Sequence, residues 1–270
     1  MPKETRKKLP GFHRTIIIST RNDDDAGVLA RACVEDDFHQ FRVQVSVKDG
    51  IIGSASGTAI RFPYITCPGA EEGLDELIGQ RAEAFSAAVY RQADTRLNCT
   101  HMLDLAGLAI SNIVNNVQSR RYDIFVSDRD TGEKTGSYTA NIARDGIKVL
   151  EWQATNETIN SPKSFAGVHL RKGFAKWALN NLDPEETEAA LILRRCSMIS
   201  MGRAKDLAAQ RNAPDWGFCY SQQKERAHDA LRIKGAIEDF NSRAGDLCKD
   251  DEYWVNFEPE PTHSKNLSTG

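Results

Sequence analysis

No two cysteines of this chain stand in a C-x-x-C pair, no apolar run approaches the ~20 residues that span a bilayer, and neither sign of charge dominates. Each absence excludes something. The six cysteines, Cys33, Cys67, Cys99, Cys196, Cys219 and Cys248, are spread over 270 residues, which argues against a disulfide framework and a zinc ribbon and for reduced thiols. A formal net charge of −3 offers no general attraction for nucleic acid, whose binding draws on many phosphate-neutralising cations. The basic start, Met1 to Pro10, lacks the apolar stretch of a secretory signal. A cytoplasmic protein with neither membrane nor nucleic-acid partners is therefore expected. Gly-rich phosphate loops, G-x-S-x-G elbows and H-E-x-x-H are also missing, which removes the common nucleotide, esterase and metalloprotease templates. What is present, 40% hydrophobic and 27% charged residues, is the composition of a soluble globular protein with a substantial core.

The pattern alternates early. Phe41, Val43, Val45 and Val47 share one face of a strand and Arg42, Gln44 and Ser46 the other, and Asp49-Gly50 then signals a tight hairpin into Ile51-Ile52. Val28 to Val34 reads as a strand closed by the acidic turn Glu35-Asp36-Asp37, and Phe12 to Ile18 as an additional one. After Phe62 to Pro68, helices are expected over Glu71 to Gly79 and Ala82 to Ala93, and then a long buried helix opening near Cys99 with Asn98 as N-cap. Similar signals return later in Tyr122 to Val126, Ser137 to Ala143, Asp145-Gly146 and Ile147 to Trp152. Gly50 and Gly146, Pro68 and Pro162, Gly79 and Gly173, and Cys99 and Cys196 lie 94 to 97 residues apart. This implies an α+β fold of two degenerate repeats, each an antiparallel meander followed by helices, packed about a pseudo-twofold axis. The expected divisions are 1–120 and 121–212 for the repeats, 213–258 for a C-terminal loop and amphipathic helix carrying Ala227, Ala230, Leu231 and Ile237, and 259–270 for a disordered tail. In the second repeat, Asp183, Pro184 and Glu186 mark a helix start. The runs Asp23 to Asp25 and Asp128 to Asp130 read as exposed turns.

Chemistry concentrates at Asn98-Cys99-Thr100-His101-Met102-Leu103-Asp104. A helix start favours a thiolate at Cys99 and disfavours a protonated His101. Asp104, three residues along the same face, can orient the imidazole while His101 takes a proton, since imidazole titrates closest to neutral pH. The bland alternatives are a buried, locally paired imidazole and cysteines serving as small apolar fillers. His13 and Arg14 form either a solvated strand end or a clamp for an anionic group. The loop Trp216 to Gln223, with Cys219 and Tyr220, has the character of a pocket wall. Tyr220 is either core or a proton donor. Cys67, Cys99 and His101 together offer a metal-ligand alternative.

His13-Arg14, Asp49-Gly50-Ile51, Pro63 to Pro68, Leu77-Ile78-Gly79, Cys99-Thr100-His101 and Asp104-Leu105 resemble the domain-of-unknown-function family DUF2889 over about the first 120 residues. The resemblance implies an association with catabolism of aromatic compounds, including cofactor-independent lyases that release formaldehyde from lignin-derived dimers. On that basis the expectation is an enzyme without a cofactor acting on a small aromatic substrate. His101 and Asp104 would remove a hydroxyl proton, with Tyr220 or Arg14 stabilising a departing phenoxide and His13, Cys67, Cys99 and Cys219 lining the pocket. The spacing of Cys67 and Cys99 also resembles iron–sulfur scaffolds of the NifU type, though without their third cysteine, and a non-catalytic binding module is a third reading. A homodimer is compatible with either unit count.

Overall fold

The computed structural model describes residues 10–131, 135–207 and 209–260, so the basic start and residues 261–270 of the expected tail lie outside the described residues. In chain order the elements are β1 (Gly11–Asp23), β2 (Gly27–Asp36), β3 (Gln40–Lys48), β4 (Ile51–Arg61), α1 (Val89–Gln92), α2 (Thr100–Val114), β5 (Ser119–Ser127), β6 (Ser137–Arg144), β7 (Ile147–Thr155), β8 (Thr158–Ser161), α3 (Phe174–Asn181), α4 (Pro184–Ile199) and α5 (Glu252–Val255). All eight strands join one antiparallel sheet in the order β4-β3-β2-β1-β5-β6-β7-β8. The fold is thus α+β around a single sheet.

β1 is not a peripheral addition. It pairs with β2 on one side and β5 on the other, from Gly11 opposite Ser127 to Ser19 opposite Ser119, at the centre of the sheet. Its run Ile16-Ile17-Ile18 is continuous rather than alternating because both faces are covered. Phe12, Ile16 and Ile18 enter the main core beneath the helices, whereas Ile17 packs with Cys33, Cys248, Val255 and Trp254 beneath α5. The hairpins form where Asp-Gly pairs were read. Asp49 (φ 53°) and Gly50 (φ 77°), and Asp145 (φ 52°) and Gly146 (φ 81°), take the consecutive positive φ values that such tight turns require.

α2 packs on β1, β2 and β3, and α4 on β5, β6 and β7, so the two helices roof one face of the sheet. In α2, Leu103, Leu105, Leu108 and Ile110 are buried, each contributing roughly 1.5–3 kcal/mol of apolar transfer. Gly107 allows the chain at Ser86 to approach closely: a Cβ there would lie 2.0 Å from the Ser86 carbonyl oxygen. That approach seats Ser86 to Gln92 against α2. In α4, Asp183 accepts a bond from the Glu186 amide at 2.8 Å, with Pro184 in the first turn, as the sequence signals.

Several local expectations are revised. Cys99, not Asn98, is the N-cap of α2, and no side chain caps it; Asn98 instead donates to Glu76 and to the Asp94 carbonyl. Glu72–Leu77 forms a 3-10 helix, and the expected helix over 82–93 shrinks to a 3-10 turn at Ser86–Ala88 and α1. β8 went unread, although Asn156 at φ 56° forms its hairpin. The expected amphipathic helix near residue 230 is a set of turns: Leu231 bridges to Asn212 and Arg232 to Tyr64, so backbone pairing with distant segments replaces local helix bonds. Arg129, read as part of an exposed turn, is buried and donates to Ser200 Oγ and the Ser197 carbonyl. Cys196 lies in the last turns of α4, whereas Cys99 precedes α2, so the two cysteines are not helix-start equivalents.

Candidate active site

Register builds the site's floor. Arg14 on β1 stands opposite Asp36 on β2, both facing the helices, and their side chains form a buried ion pair with Arg14 Nε 2.8 Å from Asp36 Oδ2. The tight turn after β2 wraps around the same carboxylate, whose Oδ1 accepts from the amides of Phe38 (2.7 Å) and His39 (2.9 Å) and lies 3.1 Å from His39 Nδ1. Burial opposes ionisation, but Arg14 and His39 overcome it and hold the Asp36 carboxyl well below the usual carboxylate range. The acidic turn read between β2 and β3 is therefore internal: Asp37 is also fully buried and meets Arg203 at 2.5 Å.

His101, in the first turn of α2, is laid against this floor. Its ring is 4.0 Å from that of His39 and 5.6 Å from that of Phe41, and Nδ1 lies 3.9 Å from Cys99 Sγ. Nε2 is buried without a hydrogen-bond partner among the described residues. Burial, then the neighbouring His39 and Arg14, push the imidazole well below its ordinary pKa, so it is neutral at neutral pH.

Asp104 does not orient that imidazole. Its carboxylate pairs with Arg195 from α4 and accepts from the Tyr90 hydroxyl of α1, while Arg195 Nη2 also donates to the Tyr90 oxygen at 2.6 Å. Burial, then the ionised Asp104, push the Tyr90 phenol well above its usual range. Desolvation works against the Arg195 charge, yet Asp104 and Tyr90 raise its pKa.

Between these groups lies a cavity of about 260 Å³. Arg14, His101, Asp104, Tyr90 and Arg195 supply polar atoms, as do Glu188 and Arg194 of α4. Ile16, Val34, Leu105, Leu108, Leu191 and Ile192 make most of the remaining wall. An apolar hollow with a few convergent polar groups is the usual form of a small-molecule site.

Of the residues singled out from sequence, Arg14, His101 and Asp104 meet at this cavity. The others do not line it. His13 points to the opposite side of β1 and packs on Phe125 at 5.0 Å, as strand alternation requires of neighbours. Cys67 is buried with Tyr64, Ala213, Ala227 and Ala230 and accepts from Ser221 Oγ. Tyr220 stacks under Arg226, with its hydroxyl beside Gly69. Burial pushes the Cys99 thiol up, against the expected thiolate, and takes Cys219 to about 11. Cys67, Cys99 and His101 do not converge as metal ligands. Among the described residues, the groups of three whose ligand atoms approach within 4.8 Å are Asp36, His39 and His101, and Cys33, Cys248 and Asp251.

Tyr90, Arg194, Arg195, Asp36, His39 and Glu188 were not anticipated. One signal was legible: Arg194-Arg195 interrupts the apolar run Leu191 to Leu193, and two adjacent cations following an apolar helix segment need a reason. Among the described residues, no helix is long and apolar enough to cross a membrane. No curated protein matches the chain. The family model described as "Protein of unknown function (DUF2889)" matches residues 18–114, a span that contains Asp36, His39, Tyr90, His101 and Asp104 but neither Arg14 nor α4. Over residues 18–114 the chain is thus similar to the DUF2889 family.

Proposed function

We propose that the chain is a cofactor-independent acid–base enzyme that acts on a small aromatic substrate, with His101 as the proton acceptor. The observation that carries this reading is a neutral His101, its Nε2 without a partner among the described residues, in the wall of an apolar cavity that Arg14 and the Tyr90–Asp104–Arg195 cluster also line. Burial lowers the basicity of the imidazole but keeps it unprotonated, so it can accept at neutral pH. Arg14 or Arg195 supplies positive charge where negative charge develops, the role earlier given to Tyr220 or Arg14. Asp104 is a positioning residue for Arg195 and Tyr90 rather than for His101.

The reaction that fits the family association is a carbon–carbon lyase step. His101 takes the proton of a hydroxymethyl group, the bond to that carbon breaks and formaldehyde leaves. The electron pair forms a carbon–carbon double bond as a phenoxide departs. An apolar cavity of about 150 Å³ accepts benzene, so this one holds a single substituted ring, and the second ring of a dimer must extend through the mouth. Incubation with hydroxymethyl-bearing aryl ethers and trapping of formaldehyde tests the step. His101→Gln should lower turnover by about 10²-fold or more, and His101→Ala activity within tenfold of wild type removes the base.

A second reading, metal binding, is favoured by the approach of Asp36, His39 and His101. Against it, Arg14 already occupies Asp36. Elemental analysis of the purified protein separates the two. We also propose an internal duplication: strands number outward from the β1–β5 pair on both sides and both halves use an Asp-Gly turn, which supports two units about a pseudo-twofold axis.

A further inference from the structure

A second hollow of about 180 Å³ adjoins the cavity and shares Ala175, Leu191 and Arg194 with it. Its character is different. Arg171, Lys176 and Arg194 line it and no carboxylate does, and the first turn of α3, which has no side-chain cap, forms one edge. Arg171 is paired with Glu157. Arg194 has no such partner: its Nε donates to the Leu170 carbonyl at 2.7 Å, and no carboxylate lies within 4.0 Å of its guanidinium among the described residues. The other arginines at the cavity are matched, Arg14 by Asp36 and Arg195 by Asp104, and Glu188 accepts from the Tyr122 hydroxyl. Arg194 therefore stands as a cation without a carboxylate partner at the junction between an apolar chamber and a basic hollow, and His101 lines the chamber. Removal from water, then the neighbouring Arg195, lower the Arg194 pKa, a cost that an anionic ligand would relieve.

We propose that the site takes an amphipathic oxyanion, an aryl-sized apolar body in the chamber with a carboxylate or phosphate held by Arg194 at the mouth. The inference rests on the cavity being a substrate site and deepens that reading. A guanidinium binds either oxyanion through paired N–H donors, so both belong to the same recognition chemistry.

Calorimetric titration of the full chain with three probes tests it: 3-phenylpropionate, 3-phenylpropyl phosphate and the uncharged 3-phenylpropan-1-ol. At least one anion should bind about tenfold or more tightly than the alcohol, and which anion binds better tells carboxylate from phosphate. Arg194→Met should erase that preference, the anions losing about tenfold or more in affinity relative to the alcohol. Arg194→Lys, which keeps the charge, should restore part of it, and urea unfolding of each variant shows that it is folded. An alcohol that binds wild type as well as both anions, or anion binding unaltered in Arg194→Met, overturns the oxyanion while leaving the chamber as a site. Absence of binding by all three probes overturns the oxyanion and the cavity reading together.

Discussion

The two roofing helices handle polar groups in opposite ways. α2 is buried along most of its length and carries its site groups, His101 and Asp104, near its start, where His101 has lost water without gaining a partner at Nε2. α4 is less apolar, begins with a satisfied Asp183 cap and carries its two arginines in its second half, where Arg195 is matched by Asp104 across the helix interface and Arg194 is not. Groups that serve the fold are paired, as Arg14 with Asp36 and Arg195 with Asp104. His101, whose Nε2 has no partner among the described residues, and Arg194, which bonds the Leu170 carbonyl but no carboxylate, both line the cavity.

The contrast can be broken most severely at the floor. Arg14→Met should leave the buried Asp36 without its guanidinium partner and cost about 3–5 kcal/mol in urea unfolding. The mutation of an unpaired group, Arg194→Met, should cost far less by the same measurement. Gly107→Ala should push α2 away from Ser86 and cost about 1–3 kcal/mol, and turnover should fall with it because Tyr90 follows Ser86 in the same segment. Asp183→Ala removes only the cap of α4 and should cost about 1 kcal/mol, read as a small drop in urea midpoint.

Acid sharpens the comparison further. An unfolded histidine takes a proton near pH 6.5, and His101 in the fold only well below that. Between those values the unfolded chain binds more protons, so the His101 contribution is complete above about pH 6.5 and is lost as the pH falls beneath it. Urea midpoints from pH 7.5 to 4.5 should decline below pH 6.5 more steeply in wild type than in His101→Gln. A matched slope in the two proteins contradicts the buried neutral imidazole.

Much of the sheet was legible because period-two alternation and Asp-Gly turns are local: β2, β3 and the hairpins need nothing from the rest of the chain. The buried nature of α2 was legible for the same reason, since its apolar residues cover most of its circumference. What could not be read was which residues meet across the sheet. Arg14 and Asp36 are brought together by register, and Asp104 and Arg195 by the packing of two helices, so the proximity of His101 and Asp104 in sequence gave a false partner. Glu35-Asp36-Asp37 is legible as an acidic turn but not as a buried one, because it is the turn at Phe38 and His39, folding its amides onto Asp36, that makes it internal. The thiols misled in a related way. Cys67 and Cys219 are near neighbours of Cys99 in space, yet burial raises all three, which marks packing rather than nucleophiles.

The state of one imidazole decides the account. A proton–nitrogen NMR titration of His101, assigned by comparison with His101→Gln, should show a neutral ring from pH 8 down to below pH 6.5 and a shift of Nε2 when an aryl ligand fills the cavity. A ring that protonates at or above pH 6.5, or one whose Nε2 ignores every ligand that binds, would contradict His101 as the proton acceptor of this site.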